Sequence, residues 1–130
     1  MQTMVNREND LLTVASGWRK KIVVVIGALG VVLGAFGAHV LNGTLEANGT
    51  LDVWKTAVFY HLIHAVVLLV ITFSLKEFNK YSWFCFVFGI ILFSGSLYLL
   101  ALYQFSHLLG PVTPFGGALL IGGWISLLRS

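Results

Sequence analysis

Four long apolar runs separated by short polar segments organise this chain. The run Thr56–Leu75 carries no formal charge over twenty residues. At a helical rise it spans about 30 Å, the thickness of a bilayer's hydrocarbon. Turning by about 100° per residue, Trp54, Ala57, His61, His64, Leu68 and Thr72 share one narrow stripe. Val58, Phe59, Leu62, Val66, Leu69 and Phe73 lie off it. The pattern predicts a helix with one face for protein and another for lipid. Ionisable residues inside a membrane are costly and face the interior of a bundle, so the stripe reads as the wall of an interior polar site.

The first span is Ile22–Leu41, and its twenty residues exceed the ~7–15 of a signal-peptide core. It therefore reads as a retained anchor. Gly27, Gly30, Gly34 and Gly37 recur at steps of three and four along one stripe. Gly30 and Gly34 form a GxxxG pair, a spacing that lets a second helix approach closely. His39 is near the end of this span, on the face away from the glycines. Tyr81–Leu102 is the third span, with Ser94, Tyr98 and Ala101 on one face and Cys85, Gly89 and Ser96 on another.

In the last span, Thr113 suits an N-cap and Pro114 a first helical residue. Pro114–Leu128 is fifteen residues, about 22 Å and short of a bilayer. Either the helix starts at Pro111, or Gly110–Thr113 enters the membrane as extended backbone lining protein or a wet cavity. Gly116 and Gly123 share a stripe here, and so do Gly117 and Trp124.

The polar segments complete an all-α, four-helix transmembrane bundle. Residues 1–21 form a cytoplasmic tail, either disordered or carrying a short amphipathic turn, Leu11–Trp18, capped by Asp10. Residues 22–130 form the membrane domain, with spans at about 22–41, 56–75, 81–102 and 111–128. Asn42–Val53 contains an imperfect repeat, Asn42-Gly43-Thr44-Leu45-Glu46-Ala47 and Asn48-Gly49-Thr50-Leu51-Asp52-Val53. Asn-Gly favours turns and helix stops, so this segment reads as a tight reversal. Lys76–Lys80 is a five-residue turn, and Tyr103–Thr113, with His107, is the second outer loop.

Composition fits this reading: the chain is 58% hydrophobic and 10% charged, with a mean hydropathy of +0.90. A soluble domain carries about 25% charged residues. The net charge of +3 does not mark a nucleic-acid partner, because the basic residues flank apolar runs instead of forming a face. The lone Cys85 excludes an intrachain disulfide and a multi-cysteine metal site.

With the N-terminus inside, the inner segments hold Arg7, Arg19, Lys20, Lys21, Lys76, Lys80 and Arg129, and the outer ones hold Lys55. Seven against one predicts a multi-pass protein of the plasma (inner) membrane with both termini cytoplasmic. That orientation places His39, His61, His64, Ser94 and Tyr98 in the outer half. They form the candidate polar site, with His64 expected in direct or one-water contact with the hydroxyl of Tyr98 or Ser94. Gly27, Gly30, Gly34, Gly37, Gly116 and Gly123 are the candidate helix-packing residues.

Several motifs together carry a resemblance. Gly34-Ala35-Phe36-Gly37-Ala38-His39 resembles the opening signature of the YgdD-like family of small membrane proteins. Thr56-Ala57, Tyr60 and His64-Ala65 resemble its second segment. Phe93-Ser94-Gly95-Ser96-Leu97-Tyr98, and Thr113-Pro114-Phe115-Gly116-Gly117 with Gly123-Trp124, resemble its third and fourth. The likeness runs from Ile22 to the end in the same order and leaves out the tail; His61 fits the pattern less closely than His64. The resemblance implies a four-span plasma-membrane protein of unknown biochemical function.

The leading functional reading is a structural or accessory membrane subunit: not an enzyme, with no cofactor, no metal and no catalytic residue. Its partner is the lipid bilayer, and both a homo-oligomer and a larger membrane complex are compatible with the sequence. The alternatives are a small-solute or proton pathway lined by His64, His61, Tyr98 and Ser94, and a histidine-ligated metal or haem site. The metal reading lacks a third ligand, because no intramembrane carboxylate or second cysteine joins the histidines. A Ser94–His64 hydrolase is the weakest reading, since no acid at matching depth orients the histidine.

Overall fold

The computed structural model describes residues 1–73, 78–104 and 109–129, with the backbone alone at residues 8 and 10–16. Leu75, Lys76, Glu77 and His107, and the capping side chain expected of Asp10, lie outside the described residues. Among the described residues the regular secondary structure is all helical, with no strand. The elements are α1 (Gln2–His39), α2 (Asn42–Ala47), α3 (Leu51–Phe73), α4 (Lys80–Tyr103) and α5 (Val112–Ser126), which ends in a 3-10 turn, Leu127–Arg129. Four segments are long and apolar enough to cross a membrane: Gly17–His39, Leu51–Phe73, Lys80–Tyr103 and Val112–Arg129.

The first helix runs without a break from the polar tail into the membrane segment. No proline precedes Pro111 in the chain, so nothing between Gln2 and His39 removes a backbone donor. The tail is therefore neither a coil nor an isolated turn.

The expected tight reversal is more elaborate than a turn. Its first repeat is the short helix α2, which Gly49 stops at a positive φ of 68°. Gly49 N–H donates to the carbonyl of Glu46 at 3.0 Å, and Thr50 N–H to that of Leu45 at 2.9 Å. This crossed pair is the Schellman pattern, which satisfies the last carbonyls of a helix and favours glycine at its left-handed position. The second repeat then starts α3 at Leu51, five residues before the expected Thr56.

Asn79 caps α4, its side chain accepting from Ser82 N–H at 3.0 Å. Before α5 the backbone is turn and helix from Leu109 on, not extended. Pro111 is the N-cap, so Thr113 is not, and Pro114 lies within the first turn. Proline is tolerated there because a first-turn N–H has no intrahelical acceptor to lose.

The spans pack in chain order: α3 lies between α1 and α4, and α4 between α3 and α5. In lipid, association rests on close packing and interhelical hydrogen bonds, not on escape from water. One apolar cluster joins Val23, Leu68, Trp83, Phe86, Ile90 and Leu120 from all four spans. A second, at the other end, joins Leu45 of α2 to Trp54, Ala57, Tyr98 and Ala101. Leu45 is fully buried, so α2 plugs that end of the bundle.

Close approach is set by glycines. A Cβ on Gly30 would stand 2.7 Å from Leu62 Cδ2, one on Gly34 3.3 Å from Val58 Cγ1, and one on Gly37 within the indole of Trp54. Val58 and Leu62 thus face α1 and not lipid, although they lie off the histidine stripe. Gly27 differs from its three neighbours on the stripe: nothing lies within 4 Å of the position its Cβ would take. Between α4 and α5, Gly116 lies against the backbone of Phe93, and a Cβ on Gly123 would stand 2.9 Å from the ring of Phe86. Gly89 makes matching room on α4 for Leu120.

Candidate functional site

Trp54, Ala57, His61, His64 and Leu68 are all buried on one face of α3, and Thr72 is partly buried. The two histidines sit between the apolar clusters, one helical turn apart, and they are met from different helices.

His61 points between α1 and α4. Its Nε2 is 2.9 Å from the backbone carbonyl of Ile26, and its Nδ1 is 3.2 Å from the Tyr98 hydroxyl. A carbonyl only accepts, so Nε2 carries the proton and Nδ1 accepts from Tyr98. Ile26 O is within reach because Gly30, one turn on, has no side chain: a Cβ there would stand 3.3 Å from His61 Cδ2. Trp54 repeats the arrangement, its indole N–H donating to Leu33 O at 3.0 Å beside Gly37. Tyr98 also packs on the Trp54 ring, with centroids 4.7 Å apart.

His64 points towards α5. Its Nδ1 lies 2.7 Å from the carbonyl of Tyr60 in its own helix, and the indole N–H of Trp124 donates to its Nε2 at 3.2 Å. By the same reasoning, His64 carries its proton on Nδ1. It forms the inner wall of a lipid-side groove of about 450 Å³ with Phe59, Tyr60, Phe93 and Trp124.

The five residues of the candidate site therefore divide. His61 and Tyr98 are hydrogen-bonded to each other. His64 makes its bonds with Tyr60 and Trp124 and has no direct bond to Tyr98 or Ser94. Ser94 is buried, and its hydroxyl has no hydrogen-bond partner among the described residues. His39 is exposed at the end of α1, with no hydrogen bond to the other four.

Two further groups of polar contacts are centred on residues outside that set. Ser96 and Thr113 pair hydroxyls at 2.6 Å, and Ser96 also donates to Phe93 O at 3.0 Å. Thr50 donates to Ala101 O at 2.7 Å, with Asn48 donating to Ala101 O and Leu102 O at 3.4 Å each. The Trp124 indole was visible in the sequence beside Gly117 as an aromatic on a shared stripe; its donor role needed the fold. Among the described residues, no three His, Cys, Asp or Glu side chains cluster as metal ligands.

Four apolar, membrane-length helices around two buried histidines, each bonded to its own partners, define a multi-pass integral membrane protein. Its family follows from comparison with known sequences: a family model described as a protein of unknown function, DUF423, matches residues 33–117, and the chain belongs to that family. Among its relatives, the UPF0382 membrane protein YwdK of Bacillus subtilis is 42% identical over 118 residues, covering 83% of this chain and 94% of the relative. A UPF0382 membrane protein of Haemophilus influenzae is 40% identical over 112 residues, 82% of this chain and 86% of the relative. One from Schizosaccharomyces pombe is 32% identical over 113 residues, 82% of this chain and 95% of the relative. No solved structure matches the chain.

Proposed function

We propose that this protein is a structural or accessory subunit of the plasma membrane whose histidines hold helices together. One observation carries the reading: every ring nitrogen of His61 and His64 is already hydrogen-bonded within the fold. Each neutral ring has one lone pair, and Tyr98 or Trp124 occupies it. Neither ring offers an electron pair to a metal ion or haem without first breaking an internal bond.

In this reading both termini are cytoplasmic, residues 1–21 lie outside the membrane domain, and residues 22–130 form it. The seven-to-one basic distribution supports that orientation. So does the gathering of Arg19, Lys20, Lys21, Lys80 and Arg129 at one end of the helices, with Lys55 at the other. The YgdD-like motifs at Gly34–His39, Thr56–Ala65, Phe93–Tyr98 and Thr113–Gly117 fall within the matched residues 33–117, which supports reading both names as one family.

Purification in mild detergent tests the function. The expected product is colourless and metal-free, with His61→Gln and His64→Gln each lowering its melting temperature. A haem or metal that is lost with either substitution overturns the structural reading. A reporter active only in the periplasm, fused after Ser130, tests the orientation and is expected to be silent.

A further inference from the structure

The end of the bundle opposite α2 combines positive charge with exposed aromatic surface. Its described segments 17–21, 78–80 and 127–129 carry five cations, Arg19, Lys20, Lys21, Lys80 and Arg129, and no carboxylate. The described cations are placed in a definite way. Arg19 lies 3.9 Å above the ring of Phe78, Lys20 lies 5.3 Å from that of Phe73, and Lys80 lies 5.2 Å from that of Tyr81. Trp18 of α1 meets Trp83 of α4 edge to face at 5.4 Å, closing the seam beneath them. Asn79 donates to Ser126 O at 2.8 Å, bringing the end of α5 and Arg129 to the same level.

Lys20, Lys21, Lys80 and Arg129 are exposed, and none of them pairs with a carboxylate among the described residues. The ion pair there is Asp52–Lys55, at the α2 end. A cation resting on a ring face keeps its remaining N–H donors directed outward. Its side chain is also partly ordered before anything binds, which lowers the entropic cost of binding.

We propose that this end binds the phosphate of an anionic glycerophospholipid, with Lys20 and Lys80 as its principal cations. The flanking surface argues for a lipid over a soluble anion. Phe73, Phe78, Tyr81 and Phe84 are all exposed beside the cations, so a bound phosphate has apolar surface next to it for the glycerol and upper acyl chains. Juxtamembrane cations attract anionic headgroups by a few-fold in affinity each. The proposal does not depend on which leaflet this end faces.

The full chain, purified in detergent with equal phosphatidylglycerol and phosphatidylcholine, is analysed for co-purifying lipid by native mass spectrometry. The wild type is expected to retain phosphatidylglycerol preferentially. Lys20→Gln and Lys80→Gln each cut that preference about fivefold, and the double substitution removes it. Lys80→Arg keeps it, as does Lys55→Gln at the opposite end. Equal retention of both lipids by the wild type overturns the proposal, as does a preference that survives the double substitution or falls equally with Lys55→Gln. Displacement of phosphatidylglycerol by inorganic phosphate at constant ionic strength overturns it too, because the site would then be one for free anions.

Discussion

Trp54 and His61 reach across to α1 in the same way, seven residues apart on α3. Trp54 donates to Leu33 O and His61 to Ile26 O, carbonyls that are also seven residues apart. Each acceptor has a glycine one turn further on, Gly37 or Gly30. The glycine removes the side chain that would cover the carbonyl, and the ring fills the space. Small residues and interhelical hydrogen bonds are two separate means of joining membrane helices; along this seam each depends on the other.

Gly30→Ala and Gly37→Ala should each destabilise the protein by about 1–3 kcal/mol, the usual cost of overpacking. Gly27→Ala should be neutral or slightly stabilising, since its Cβ meets nothing within 4 Å and alanine is the better helix former. Thermal melts in detergent separate the three. Equal melting temperatures would show that the glycines do not set the seam.

Coupling between side chains should follow the hydrogen bonds. A double-mutant cycle of His61→Phe with Tyr98→Phe should give an interaction energy of about 0.5–3 kcal/mol. The same cycle with His64→Phe in place of His61→Phe should be close to additive. A larger coupling for His64 would place the Tyr98 hydroxyl with the other ring.

Thr50→Val should cost about 1 kcal/mol, because it removes the donor to Ala101 O while keeping the side chain's shape. Hydrogen exchange should report it locally, with faster exchange at the last turn of α4 and little change at its first. Uniform acceleration along α4 would mean that the loop does not hold that end.

The sequence made the apolar spans and the buried stripe legible, because periodicity and length are local properties. The same arithmetic set Val58 and Leu62 towards lipid, since it could not show that α1 would lie against them. It also read both histidines as inward-facing, and both are buried, but it did not find the direct partners of His64, Tyr60 O and the Trp124 indole. Residues on one helix share a face by spacing alone, whereas a bond between helices depends on rotation and height. Packing sets the pairs: Tyr98 bonds His61, and Trp124 bonds His64. Thr50 shows the converse: in the sequence it belongs to a turn repeat, and in the fold its hydroxyl serves a helix 51 residues away.

The two histidine rings hold their protons on opposite nitrogens, Nε2 in His61 and Nδ1 in His64, each fixed by a backbone carbonyl. A side-chain nitrogen-15 spectrum should therefore contain two mirror-image imidazole signatures, with the protonated and unprotonated resonances exchanged between Nδ1 and Nε2. His61→Gln should delete one signature and His64→Gln the other. The protein thus carries its own internal reference: a ligand, lipid or partner that disturbs one helix seam should shift one ring's resonances and leave those of the other, one turn away, in place.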